Sequence, residues 1–367
     1  MATWFRILAG MIGFALQIMV LDAAIRTFLL PRVARVRLTR FISQVMGRTF
    51  YVISRFGRSY KTQDRILSLG APITLLTFQA LWLALSVVAF AFGFVAAGAS
   101  NFADAFQLSG SSLFTLGTSA AHDGGQVTLS YLEAGVGLTL LALLIAFVPT
   151  IYAAFQRREF SVSRLAVRSG KPATPWGVIE IAQSVYSYDI LEELWREWEQ
   201  WFIELGETHT TLTILNYYRS PSAEQTWIGA ASTVLDAAAL YNAVVDLPPS
   251  SRAGLCIRSG WIALRHICDY FRIPYPTEPN RSIPIAVTRE EFDLVLDHLR
   301  RSGVPLVADV EAAWWDFVGW RVNYDAMIEA FYTQFSSPRT DWRLALSQPL
   351  YGRSNQRGVR DSSTPNT

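Results

Sequence analysis

Three long apolar runs lie before Phe155, and beyond it short amphipathic stretches alternate with Pro- and Gly-bearing breaks. A bilayer core takes about 20 apolar helical residues to cross. The first run, from about Trp4 to Leu30, is interrupted by Asp22 and Arg26. The second, from Pro72 to about Ala97, is almost wholly apolar. The third, from about Tyr131 to Phe155, carries Glu133 near its start and Pro149 near its end. Between the last two lies Ser109 to Ser119, too polar and too short to span. Irregular backbone at membrane depth is tolerated only where protein buries it or where it lines a water-filled path. Cation filters use such backbone, whose carbonyls replace the hydration shell of the ion. The pattern predicts an all-α membrane protein with three transmembrane helices, a re-entrant pore helix and filter, and a soluble helical C-terminal domain.

The segment between the spans reads in order. Asn101 and Asp104 resemble a capping box, which starts a short helix over Phe102 to Leu113. Its C-terminal end carries partial negative charge and favours a cation. Thr115, Leu116, Gly117, Thr118 and Ser119 then form an extended, carbonyl-bearing strand, in which Gly117 permits a positive φ. Ala120 to Gly125 are the outer mouth, with Asp123 as a cation-attracting charge and Gly124-Gly125 as the turn into the third span. Glu133 either braces the filter from behind or is a solvated carboxylate at the helix start. Gly135, Gly137 and Pro149 suit an inner helix that bends to gate, although both residue types are frequent in spanning helices.

Charge sets the expected orientation. Arg32, Arg35, Arg37, Arg40, Arg48, Arg55, Arg58, Lys61 and Arg65 separate the first two spans, opposed only by Asp64. Positive segments stay cytoplasmic. The N-terminus is then outside and everything after the third span is cytoplasmic, in a multi-pass protein of the plasma (inner) membrane. A signal peptide is the competing reading of the first run, but its cleavage would put the arginines outside. Val33, Val36, Phe41, Val45, Phe50, Ile53 and Phe56 recur at near-helical spacing, as a basic amphipathic helix on anionic inner-leaflet lipid or as a plain connector. The expected organisation is a first span at 1–30, this linker at 31–70, a pore module at 71–157, a linker at 158–176, a helical domain at 177–345 and a disordered tail at 346–367.

Net charge is +2, which carries no nucleic-acid signature. Cys256 and Cys268 are the only cysteines and form no CxxC, which fits a reducing compartment without structural zinc. In the C-terminal half, Val178, Ile181, Ala182 and Val185 form one apolar face, and Leu191, Trp195, Trp198 and Phe202 another. Further helices are predicted over Ser222 to Val245, Ser251 to Phe271, Arg289 to Ser302 and Ala308 to Gln334. His209, His266 and His298 are scattered, and no Gly-rich phosphate loop follows a strand. Neither enzyme chemistry nor a cofactor is expected, and the ligand or partner of this domain is not specified by its residues.

The order of these blocks resembles the potassium-channel superfamily. It is closer still to bacterial pore-loop channels with an extra leading helix and a helical cytosolic domain. The resemblance is carried by Thr115-Leu116-Gly117, by Leu132-Glu133-Ala134-Gly135-Val136-Gly137 and by Arg157-Arg158-Glu159-Phe160-Ser161-Val162-Ser163. It continues through Glu207-Thr208-His209, Tyr218-Arg219-Ser220-Pro221 and Leu235-Asp236-Ala237-Ala238-Ala239-Leu240. It implies a homotetramer in which each chain gives one quarter of a filter, passing a monovalent cation, potassium in the parent family. Thr115, Leu116 and Gly117 occupy the Thr-Val-Gly positions, whereas Thr118 and Ser119 replace the usual aromatic residue and second glycine. That departure puts potassium selectivity in question more than cation preference. The alternative is a non-conducting membrane receptor or scaffold whose polar loop is an extracellular turn.

Overall fold

The computed structural model describes residues 3–28, 45–50, 52–53, 60–170, 172–222, 225–339 and 342–347. Among these residues the chain is helical throughout, and an isolated bridge between Val245 and Leu306 is the only β pairing. It divides into two compact units, Met1–Ala154 and Phe155–Thr367.

The first unit holds α1 (Thr3–Phe28), α2 (Tyr60–Ser68), α3 (Gly70–Ala96), α4 (Phe102–Leu113) and the beginning of α5 (Gly124–Ser169). Three helices here are long and apolar enough to cross a membrane. The 26 residues of α1 extend about 39 Å at about 1.5 Å per residue, against a hydrocarbon core of about 30 Å. Close approach of α1 to α3 depends on a missing side chain: a Cβ built on Gly13 would land on the Ala89 carbonyl oxygen. Further along, the Phe28 ring meets Trp82 at 5.0 Å and Phe147 at 4.8 Å, edge to face, which joins α1 to α3 and α5. Ala105 and Leu108 of α4 pack into an apolar cluster with Phe90, Ala91, Phe94 and Val95 of α3. Of the expected basic linker, residues 31–44, 51 and 54–59 lie outside the described residues, as do 29 and 30 of the expected first span, while 45–50 are helical.

Helix α5 overruns its expected end. Its 46 residues extend about 69 Å, so the stretch expected as a linker at 158–176 is helical as far as Ser169. Gly170, at φ +94°, ends it, and Thr174 caps the next helix with Pro175 at its first turn. The arginines at 157 and 158 mark the limit of the apolar run, not of the helix.

The second unit continues with α6 (Pro175–Ser184), α7 (Asp189–Thr211), a 3-10 turn (Thr213–Tyr217), α8 (Trp227–Val244), α9 (Ser251–Phe271), α10 (Arg289–Arg301), α11 (Val310–Arg321), α12 (Asp325–Gln334) and α13 (Trp342–Ser347). Leu191, Trp195, Trp198 and Phe202 are buried as their spacing predicts. Val178 and Ala182 are buried too, but Val185 follows the last turn of α6 and is exposed. The single helix predicted over Ala308 to Gln334 is two. Asn323 directs its side-chain amide onto the carbonyls of Gly319 and Trp320 at 2.9 and 3.0 Å, an alternative to continuing the ladder. Across the break Arg321 pairs with Asp325 at 2.8 Å and with Asp236 of α8 at 2.5 Å, and Tyr324 donates to Asp236 at 2.8 Å. Burial opposes the Arg321 charge, but Asp236 and Asp325 outweigh it and raise its pKa. Cys256 and Cys268 are buried free thiols, and burial pushes the Cys268 thiol up to about 12. The expected disordered tail, from residue 348 onward, lies outside the described residues.

Candidate functional site: an exposed loop on a polar seam

Helix α4 begins and ends as local chemistry dictates. The Asn101 side chain accepts the Asp104 N–H at 2.9 Å, and its amide donates to the Asp104 carboxylate at 2.9 Å. At the other end, the Leu116 N–H donates to the Ser111 carbonyl at 2.8 Å and the Thr115 N–H to the Ser112 carbonyl at 3.1 Å. That pair of bonds is a Schellman motif, which places its left-handed residue just past the helix. Here that residue is Thr115, at φ +54°. A β-branched residue at positive φ is an outlier that the surrounding structure must hold in place. Thr115 therefore closes the helix and is not the first residue of an extended strand.

Gly117 is at φ +69°, as expected, while Leu116 between them is not at positive φ. Residues of alternating hand turn successive peptide groups to the same side. Ser119, which stands where the resembled family has a second glycine, is not at positive φ, and its N–H donates to Ser111 Oγ at 3.2 Å. A side chain is therefore accommodated there without left-handed backbone strain. Phe114 to Thr118 are exposed, with the Leu116 side chain 64% accessible. Among the described residues the carbonyls of Thr115, Leu116, Gly117 and Thr118 accept no hydrogen bond.

A row of polar contacts seats α4 on α5. Ser112 Oγ lies 3.0 Å from Ser130 Oγ, and Ser109 Oγ is hydrogen-bonded to Glu133 Oε1. The same Ser109 hydroxyl reaches the Val87 carbonyl of α3 at 2.8 Å. Ser109 and Glu133 are both fully buried. One turn beyond Glu133, a Cβ built on Gly137 would land on the Leu113 carbonyl oxygen and 3.2 Å from Leu113 Cδ1. Only glycine lets α5 pass the end of α4 this closely. Of the other predicted residues, Gly135 faces open space, and Pro149 sits inside an uninterrupted α5. Asp123 is exposed and accepts the Gln126 N–H at 2.9 Å, so it caps α5, while Gln126 accepts the His122 N–H at 3.0 Å. Gly124 and Gly125 are the first residues of α5 and not the turn before it.

The sequence reading missed Ser109 and Ser112 as seam residues and Ser111 as the acceptor that holds the Ser119 N–H. Their signal was present: three serines on a short helix whose Leu108 and Leu113 are buried, opposite a span carrying a lone carboxylate.

In the second unit the blocks around Arg158, His209 and Tyr218 converge. The buried Arg158 guanidinium donates to the Leu215 carbonyl at 2.8 Å, the Tyr218 carbonyl at 2.7 Å and Glu159 at 2.8 Å, and lies 3.2 Å from His209 Nε2. His209 Nδ1 lies 3.1 Å from the Leu205 carbonyl. Arginine can only donate and a carbonyl can only accept, so His209 is the neutral Nδ1–H tautomer. Burial, and then the Arg158 charge, hold its pKa well below 6.5 against the opposing Leu205 bond. A cavity of about 250 Å³ lies beside Asp236 and Arg321, lined also by Glu329, Tyr332, Arg339 and Trp342. Among the described residues no group of three or more His, Cys, Asp or Glu side chains is placed to hold a metal ion. Comparison with protein-family models, with curated proteins and with solved structures returns no match.

Proposed function

We propose that this chain forms a cation-conducting pore, as a homotetramer in the plasma (inner) membrane, with the Thr115–Ser119 loop as one quarter of its filter and the second unit as a cytoplasmic gating domain. One observation carries the reading. Four consecutive carbonyls, in a loop of exposed residues that alternate in hand, accept no hydrogen bond among the described residues. At membrane depth each such group costs several kcal/mol unless protein, water or an ion covers it. Further copies around an axis, with a cation between them, satisfy that demand. The Gly137 notch and the Ser109–Glu133 contact support the loop from behind, and Asn101 and Asp123 cap the helices on either side of it. Potassium is the permeant ion in the family that the sequence resembles, and the Thr118-Ser119 pair leaves sodium as the competitor to test.

Liposomes containing the purified protein and loaded with potassium or sodium provide the test. The expected result is cation flux that Gly117→Ala abolishes while the oligomer persists. No atom lies within 4 Å of where a Cβ on Gly117 would stand, so that substitution acts through the backbone and not through a clash. Wild-type flux in Gly117→Ala removes Gly117 from the conduction path. No flux across a range of pH, calcium and candidate ligands favours a non-conducting receptor or scaffold.

A further inference from the structure

Two oxygen–oxygen contacts meet at Ser109. Its Oγ lies 2.8 Å from the Val87 carbonyl oxygen and within hydrogen-bonding distance of Glu133 Oε1. Each contact needs a hydrogen between the two oxygens. A serine hydroxyl supplies one, and a carbonyl supplies none. One hydroxyl hydrogen shared between two acceptors would leave both bonds weak, and the carboxyl group is the one partner here that can carry a second. We infer that Glu133 is a proton-binding site, held as the carboxylic acid and donating to Ser109, which in turn donates to Val87.

The surroundings agree. Glu133 has no exposed surface, and its Oε2 has no hydrogen-bond partner among the described residues. A carboxylate there would set one charged oxygen against the lone pairs of Ser109 and leave the other without a donor. The acid form serves every contact that the geometry makes. It also fixes a direction along the chain of bonds, from α5 through α4 to α3. The next contact along α4 and α5 is Leu113 against Gly137, so the proton sits one helical turn from the end of α4. Glu133 is a positioning residue in this account: its proton joins three helices beneath the loop. The inference rests on hydrogen counting and stands whether or not the loop conducts.

Infrared difference spectroscopy of the full-length protein in lipid, near neutral pH, tests it without reference to flux. Wild type minus Glu133→Gln should show one protonated carboxyl C=O band that shifts in deuterium oxide. Glutamine keeps a donor for Ser109, so that variant should assemble as wild type does. Ser109→Ala should retain the band and move it to higher frequency, because the acid loses its acceptor. If Glu133→Gln fails to assemble, the Ser109→Ala shift alone decides. A wild-type protein with no protonated carboxyl band sensitive to either substitution, and a carboxylate band in its place, would overturn the assignment.

Discussion

The two units differ in how completely their polar groups are paired. Around Arg158 and His209 every donor has an acceptor within the chain: two backbone carbonyls, a carboxylate and a neutral imidazole surround one guanidinium. Around Asp236, Arg321 and Asp325 the charges are likewise enclosed by their own counter-charges. In the first unit the seam behind the loop is paired through Ser109 and Ser112, with Glu133 Oε2 left over. The four loop carbonyls accept no hydrogen bond among the described residues, and Leu116 beside them is exposed. In the proposed tetramer, further copies of the chain and a cation complete that surface.

The comparison is broken most forcefully in the second unit. Arg321→Ala leaves Asp236 and Asp325 buried without their cation, and removing one partner of a buried pair costs about 3–5 kcal/mol. Denaturant unfolding followed by tryptophan fluorescence should show that loss, and a loss below about 1 kcal/mol would mean that the cluster is solvated. A smaller effect is expected at the seam. Gly137→Ala drives a Cβ into the Leu113 carbonyl, and overpacking of this kind costs about 1–3 kcal/mol. Gly135→Ala, in open space, should cost less than half as much in the same denaturant unfolding assay. Equal effects at the two glycines would remove the notch from the account.

The smallest effect is one of pH. His209 is neutral when folded, with its pKa held well below 6.5, so below about pH 6.5 the unfolded chain binds a proton that the folded chain refuses. This part of the stability is therefore present above pH 6.5 and is lost progressively as pH falls toward the depressed folded value. Thermal unfolding of wild type should weaken more between about pH 7.5 and about pH 5.5 than that of His209→Gln. Parallel slopes would contradict the neutral tautomer.

Much of this molecule was legible in its residues, for reasons that differ by region. The spans follow from apolar length alone, and the short helix from Asn101 to Leu113 from a cap and a polar boundary, so its ends match the expected ones. Gly117 at positive φ was legible because glycine is the residue that takes that conformation without strain. Thr115 was not, because a β-branched residue in the left-handed region is forced by the Schellman bonds around it. The break at Asn323 was hidden inside a helical period, since it depends on where one side-chain amide points. The meeting of Arg158, His209 and Tyr218 was invisible for another reason. The blocks that contain them stand out individually, but nothing local states that residues 51 and 60 positions apart share one hydrogen-bond network.

The central claim concerns the free carbonyls of the loop, and an experimental structure of the assembled particle in potassium tests it most directly. The account predicts four copies about one axis, with the carbonyl oxygens of Thr115, Leu116 and Gly117 facing density for dehydrated cations on that axis. Oxygens pointing into lipid, or copies associated through some other surface with the loops apart, would contradict it.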